Sequence, residues 1–87
     1  MKLVGLYHAH GEYARLLEEY ARDLERTHGK VLELKDLETK EGADIATLYD
    51  IVQYPAILVV RDDGGLAKVW AGVTFPLMDE VSGYANQ

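Results

Sequence analysis

The stretch that decides the fold is Tyr49-Asp50-Ile51-Val52-Gln53-Tyr54-Pro55-Ala56-Ile57-Leu58-Val59-Val60. Proline disfavours helical geometry in the residue before it, so a helix approaching this stretch must end before Pro55. The apolar run Ala56 to Arg61 predicts a buried strand. Asp62-Asp63-Gly64-Gly65 then predicts a tight hairpin turn, because glycine accepts a positive φ. The chain therefore passes from a helix through a proline turn into a β-hairpin.

Upstream of this stretch the sequence predicts a strand-helix-strand unit. Lys2 to Tyr7 is a short apolar run without alternation, typical of a strand buried on both faces. A helix over about 12–28 has apolar residues at helical spacing and Gly29 at its end. Those apolar residues are Tyr13, Leu16, Leu17, Tyr20, Ala21 and Leu24. Val31 to Lys35 alternates like an exposed edge strand, and the right-handed crossover expected here makes the two strands parallel.

Two further helices complete the pattern. The second follows the loop Asp36 to Gly42, and the third follows the returning strand Leu66 to Ala71, with Thr74 as a candidate cap and Pro76 in its first turn. The predicted inward residues are Ile45, Leu48, Tyr49 and Val52 in the second helix and Leu77, Met78, Val81 and Tyr84 in the third. The order β-α-β-α-β-β-α predicts an α/β fold, a three-layer α/β/α sandwich around a four-stranded mixed sheet.

Composition limits what the chain can do. Its 87 residues, of which 48% are hydrophobic, predict a single domain over residues 1–87. A net charge of -6 argues against nucleic-acid binding. The apolar stretches are too short for a signal peptide or a membrane span, so we expect a cytoplasmic protein without a membrane partner. The sequence contains no cysteine, which excludes disulfides, thiolate catalysis and cysteine metal sites.

The whole pattern resembles the thioredoxin-like fold family. The shared features are an opening strand that ends in an aromatic residue, a long helix ending at Gly29, Tyr49-Asp50-Ile51 before Tyr54-Pro55, a glycine hairpin, and Gly72 before a last helix. The N-terminal β-α unit of full-length thioredoxins has no counterpart. The resemblance implies a cis Tyr54–Pro55 bond that faces the position of the family's redox motif. It also implies that Tyr54 offers backbone hydrogen bonds to a bound peptide or thiol substrate.

The redox motif itself is missing. Where the family has Cys-x-x-Cys at the start of the long helix, this chain has His10-Gly11-Glu12-Tyr13. The family's buried carboxylate, which moves protons for the thiol, also has no counterpart in Lys2 to Tyr7. Chemistry therefore excludes thiol–disulfide exchange by this chain. We expect no catalytic residue, no metal and no cofactor.

The favoured hypothesis is a redox-inactive domain that binds a protein or peptide partner in the groove beside the proline turn. We predict that this groove is formed by Tyr7, His8, His10, Gly11, Glu12, Tyr13, Tyr54 and Pro55. Self-association through the edge Val31 to Lys35 is a competing use of the same fold. We accordingly expect either a monomer or a weak homodimer.

Three other functions stay open at this stage. His8 and His10 could bind a metal with Glu12, although their i, i+2 spacing is a weak signal and a helix N-terminus disfavours a cation. Glutathione transferases with this fold stabilise a thiolate with a tyrosine near the position of Tyr7, but their acidic-Ser pair is replaced here by Gly72-Val73-Thr74. Cysteine-independent regulators of this fold, such as the circadian clock protein KaiB, bind protein partners, and no specific motif here supports that resemblance.

Overall fold

A four-stranded sheet carries three helices in the computed structural model, which describes residues 1–86. The strands are β1 (Lys2–Tyr7), β2 (Leu32–Asp36), β3 (Ala56–Val60) and β4 (Leu66–Ala71). The helices are α1 (Ala14–His28), α2 (Lys40–Leu48) and α3 (Met78–Ala85). The predicted order β-α-β-α-β-β-α is therefore confirmed.

The sheet is mixed, and its spatial order is β2-β1-β3-β4. β1 pairs in parallel with β2 and antiparallel with β3, while β3 and β4 form the antiparallel hairpin. Strand β1 lies between β2 and β3, and this position explains why the five residues from Leu3 to Tyr7 are all buried. The unalternating apolar run at the start of the sequence thus reflects burial on both faces of the sheet.

Two apolar layers hold the helices to opposite faces of the sheet. On one face, Leu17 and Leu24 of α1 and Val81 of α3 pack with Ile57 and other strand residues, all fully or almost fully buried. On the opposite face, Ala46 of α2 packs in one cluster with Val4, Leu6, Ile51, Ala56 and Leu58. The chain is therefore a three-layer α/β/α sandwich. Along residues 1–86, no helix is both long enough and apolar enough to cross a membrane.

Helix α1 begins at Ala14, two residues later than predicted, and its buried stripe is narrower. A turn in which the Gly11 N–H donates to the His8 carbonyl at 2.8 Å keeps the chain out of the helix before that point. Tyr13 and Leu16, two of the apolar residues at helical spacing, are exposed. The end of the helix matches the prediction, because Gly29 has φ +67° and its N–H donates to the helix carbonyl of Glu25 at 3.0 Å.

The inward face of α2 differs from the predicted stripe. The helix ends at Leu48, whose side chain is 71% exposed, and Val52 beyond it is 84% exposed. The buried residues of the helix are instead Gly42 and Ala46. A methyl group at position 42 would overlap the carbonyl oxygen of Asp36, so the helix approaches the end of β2 through its small residues.

Helix α3 begins at Met78, and its predicted cap is wrong. The capping position is Leu77, which makes no side-chain cap bond and is 77% exposed, so its predicted inward orientation is also wrong. The preceding segment is fixed by tertiary contacts, since the Tyr20 hydroxyl donates to the Pro76 carbonyl at 2.9 Å and the Tyr20 ring packs edge-on against Phe75. These contacts hold the segment before Met78 in a non-helical conformation. Thr74 lies in this segment and therefore does not cap the helix.

Candidate functional site

Loops from four strands meet at one end of the sheet. β1 ends at Tyr7, which pairs with Asp36 at the end of β2, while Leu6 pairs with Ala56 at the start of β3. On the far side, the N–H of Gly72, the residue after β4, donates to the Pro55 carbonyl at 2.8 Å. The topology therefore brings together the loops after β1, β2 and β4 and the proline turn before β3.

A small groove lies between the proline turn and the first turn of α1. Its lining residues are Tyr7, His8, Gly11, Glu12, Tyr13, Ala14, Tyr54 and Pro55. The cavity within the groove has a volume of about 60 Å³. The His8 and Tyr54 rings meet edge to face, with centroids 5.7 Å apart, and the Tyr54 hydroxyl donates to the Ile51 carbonyl at 2.6 Å. The peptide bond between Tyr54 and Pro55 is cis.

Seven of the eight residues predicted for the groove line it, and His10 does not. The imidazole of His10 borders a separate, open depression that also includes His8, Gly11 and Glu38. Here the Nδ1 atom of His8 lies 3.4 Å from a carboxylate oxygen of Glu38. The position of Glu38 was not predicted, because it depends on the path of the chain after β2.

Among the described residues, His8 and His10 are not accompanied by enough further ligands to form a recognisable metal-binding cluster. Across residues 1–86, no group of three or more histidine, aspartate or glutamate side chains is arranged to hold a metal ion. The carboxylate that accompanies His8 is Glu38, on the loop after β2. Glu12, the third ligand considered in the metal hypothesis, lies in the groove.

Tyr7 faces the long helix. Its side chain is buried, and its hydroxyl donates to a carboxylate oxygen of Glu18 on α1 at 3.4 Å. Burial, and then the negative charge of Glu18, raise the pKa of Tyr7 above its ordinary value. The phenol is therefore a protonated donor that already has an acceptor within the protein.

Asp36 fixes the loop that follows β1. Its carboxylate accepts hydrogen bonds from the N–H of Glu38 at 3.0 Å and from the N–H of Ala9 at 3.3 Å. These backbone donors, that of Glu38 first, hold the pKa of Asp36 below its usual range. The predicted parallel pairing of β1 with β2 is the sequence feature that could have indicated this role of Asp36, because it places the ends of both strands side by side.

The first turn of α1 is left open toward the groove. Tyr13 occupies the capping position without a side-chain cap bond, and the helix has no acidic residue in its first turn. In the part of the chain that the structure describes, the N–H groups of Arg15 and Leu16 have no backbone acceptor. Free N–H groups at a helix N-terminus carry a partial positive charge and attract hydrogen-bond acceptors.

These features define a thioredoxin-like fold in a chain that contains no cysteine. No family model matches the sequence, and no curated protein matches it. Solved structures do match, and all of those described below are thioredoxins.

Mitochondrial thioredoxin 3 from Saccharomyces cerevisiae matches with a TM-score of 0.70 and 16% identity, over 98% of this chain and 76% of that one. Thioredoxin 1 from Thermosipho africanus TCF52B matches with a TM-score of 0.69 and 13% identity, over 99% of this chain and 91% of that one. Thioredoxin O2 from Arabidopsis thaliana matches with a TM-score of 0.71 and 10% identity, over 98% of this chain and 71% of that one. At these identities the likeness establishes the fold alone.

Proposed function

We propose that this chain is a redox-inactive thioredoxin-like domain that binds an extended segment of a protein partner in the groove between α1 and the proline turn. The observation that carries the proposal is the size of the cavity in this groove. Its volume of about 60 Å³ is far below the roughly 300–1,000 Å³ of pockets that enclose a small-molecule ligand. A cavity of this size suits one aliphatic side chain of a peptide better than glutathione.

The main chain beside the cavity also supports peptide binding. Within residues 1–86, neither the N–H nor the carbonyl of Tyr54 makes a backbone hydrogen bond. An extended peptide recognises such groups by adding a strand, and its side chains enter neighbouring pockets. The open first turn of α1 offers further donors, from Arg15 and Leu16, to peptide carbonyls.

Exposed apolar side chains occur in the groove and in segments next to the proline turn in sequence or structure. Tyr13 lines the groove and is 41% exposed. Val52 comes just before the proline turn, Val73 follows Gly72, and both are exposed. Apolar side chains grouped on a surface mark interaction sites, and tyrosine offers a large contact area at low entropic cost.

A peptide titration followed by NMR tests the proposal. The ¹⁵N-labelled protein is titrated with a synthetic library of unstructured peptides that each carry one aliphatic residue at the centre. We expect shifts centred on Tyr13, Ala14 and Tyr54, because these residues line the groove. Shifts confined to other surfaces, or none with any peptide, would rule the groove out as the binding site.

A matched pair of variants sharpens the test. Tyr13→Ala removes an exposed groove residue and should weaken peptide binding about tenfold, in the range of a contact that matters at an interface. Leu48→Ala removes an exposed apolar side chain on α2 that does not line the groove, and it should leave the affinity unchanged. Equal effects of the two variants would contradict the proposed position of the peptide.

A further inference from the structure

The two edges of the sheet differ in how they are protected from pairing. At the β4 edge the register with β3 shifts between Val59 and Val60, and the strand carries a single charged residue, Lys68. A bulge is a typical device that keeps an edge from pairing with another strand. Both edges carry a lysine, Lys68 in β4 and Lys35 in β2, so the bulge is the feature that distinguishes them. β2 keeps a regular register with β1 over all five of its residues and carries charges of both signs. Its edge is therefore the more regular template for a further strand.

The outward hydrogen-bonding groups of β2 belong to Leu32, Leu34 and Asp36. The N–H of Leu37 donates to Tyr7 of β1 at 2.9 Å, and backbone groups in a strand alternate in direction, so Glu33 and Lys35 also face β1. The backbone N–H and carbonyl groups of Leu32, Leu34 and Asp36 therefore point away from β1. The Asp36 carbonyl confirms this direction, because it accepts the N–H of Thr39, outside the sheet, at 3.0 Å. Leu34 thus presents its N–H and carbonyl at the middle of the edge.

The charges along β2 match a second copy of the same strand. In an antiparallel pair centred on Leu34, each Leu34 exchanges two backbone hydrogen bonds with its copy. Glu33 then stands opposite Lys35 of the second copy, and the two-fold symmetry creates the same pair again. Opposite charges placed directly across an antiparallel pair are stabilising, whereas like charges are destabilising.

The side chains on both faces of β2 suit this arrangement. Lys35 and Glu33 lie on one face, where Lys35 also contacts Glu41 at 2.6 Å and Glu33 lies 3.8 Å from Lys2. On the other face, the half-buried Leu34 packs against the core beneath α1. Two such leucines meeting across the symmetry axis would extend that apolar layer from one copy to the other.

We infer that two copies of this chain associate through β2, in antiparallel register about Leu34, to form one continuous sheet. The partner is a second copy because the sequence Leu-Glu-Leu-Lys is complementary in charge to itself in this register. A net charge of -6 on each copy opposes the association, so the dimer is weak, with a dissociation constant on the order of 100 μM.

Sedimentation of the full chain, combined with charge reversal, tests this register. Glu33→Lys places lysines opposite each other and should raise the dissociation constant at least about tenfold. Glu33→Lys should weaken the dimer even though it makes each copy less negative, a change that by itself favours association. Glu25→Lys alters the net charge equally at an exposed position on α1 and is the matched control; it should not weaken the dimer.

The double variant E33K/K35E decides whether the register is right. It restores opposite charges across the axis at the original net charge, so the dissociation constant should return to within about threefold of the wild-type value. Failure to recover, with a folded protein shown by circular dichroism, overturns the inference. A wild-type chain that remains monomeric up to about 1 mM overturns it as well.

Amide hydrogen exchange tests the proposed pairing of β2 with its copy on the wild-type chain alone. Protection of the Leu34 N–H should rise with protein concentration, because only the dimer gives this group a backbone acceptor. The Lys35 N–H, which faces β1 within one copy, should show no comparable change. Protection of Leu34 that is independent of concentration overturns the proposed pairing. Tyr13→Ala should leave the dissociation constant unchanged, so this result is independent of peptide binding in the groove.

Discussion

The Nε2 atom of His28 lies 2.7 Å from the Oδ1 atom of Asp79, and this contact joins the last turn of α1 to the first turn of α3. The Nδ1 atom of the same imidazole lies 2.7 Å from the Thr27 hydroxyl, which donates to the Asp23 carbonyl at 2.7 Å. The helix dipoles favour this placement, because His28 stands at a C-terminus and Asp79 at an N-terminus. The contact therefore stabilises the packing of two helices on one face of the sheet.

A double-mutant cycle should detect this contact. His28→Ala and Asp79→Ala should each destabilise the fold. The coupling free energy should be about 0.5 kcal/mol, because the Asp79 carboxylate is 93% exposed although His28 is partly buried. Denaturant unfolding of the wild type, both single variants and the double variant measures the coupling. His10→Ala, an exposed loop histidine without a hydrogen-bond partner in the described chain, is the control and should be neutral. Strictly additive single variants would mean that the contact contributes nothing.

Two glycine-to-alanine variants should change stability in opposite directions. Gly42→Ala places a methyl group against the Asp36 carbonyl, which is backbone and cannot move aside, so it should destabilise the fold by roughly 2–3 kcal/mol. Gly83→Ala meets nothing within 4 Å and improves the helical propensity of α3. It should stabilise the fold by roughly 0.5 kcal/mol. Thermal unfolding of both variants checks the prediction, and a neutral Gly42→Ala would contradict the close approach of α2 to β2.

Two leucine truncations distinguish the observed packing from the predicted stripe. Leu58→Ala empties a fully buried position of β3 and should cost roughly 3–4 kcal/mol. Leu48→Ala removes a side chain that is mostly exposed and should change the stability by less than about 0.5 kcal/mol. Urea unfolding curves give both values. A large loss from Leu48→Ala would show that this side chain is buried against another surface in solution.

Tyr20 should make alkaline stability depend on pH. Burial, and then the nearby Glu80 carboxylate, raise the pKa of Tyr20 from 10.0 to about 12. Because the folded-state pKa is the higher one, the stabilisation from this group is complete below about pH 10 and is lost as the pH rises through about 12.

The variant Tyr20→Phe separates this effect from general alkaline unfolding. It loses the hydrogen bond to the Pro76 carbonyl and should be about 1 kcal/mol less stable at neutral pH. Above about pH 10 its stability should fall less steeply than that of the wild type. Unfolding curves at several alkaline pH values test the difference, and parallel slopes would refute the assigned shift.

Sequence patterns predicted the strands better than the helix faces. The apolar runs that begin at Lys2 and Ala56 form strands in the interior of the sheet. Burial on both faces requires a continuous run of apolar residues, and such a run is easily recognised in the sequence. For α2, the stripe through Leu48 and Val52 was misleading because the inward face uses Gly42, which carries no hydrophobic signal. Close packing through a glycine is visible only once Asp36 is in place.

In the candidate site, too, some residues were predicted from the sequence and others were not. Tyr7, His8, Tyr54 and Pro55 were predicted because they lie at strand ends or at the proline turn. Gly11, Glu12 and Tyr13 were predicted from the resemblance, because they occupy the position of the family's redox motif. The roles of Glu38 and Asp36 were not predicted, since each acts through contacts with the loop after β1, such as that between Glu38 and His8. The exclusion of His10 likewise depends on how the turn at Gly11 folds back on His8.

The central position of β1 has a consequence for biosynthesis. β1 is synthesised before the other strands of the sheet, yet one of its two neighbours is β3, at residues 56–60. A ribosome must therefore release well over half of this sequence before the first strand can be enclosed on both sides. Until then its apolar residues, including Leu3 and Leu6, stay accessible to chaperones, and shortened chains that end before Ala56 should be degraded instead of accumulating as folded fragments.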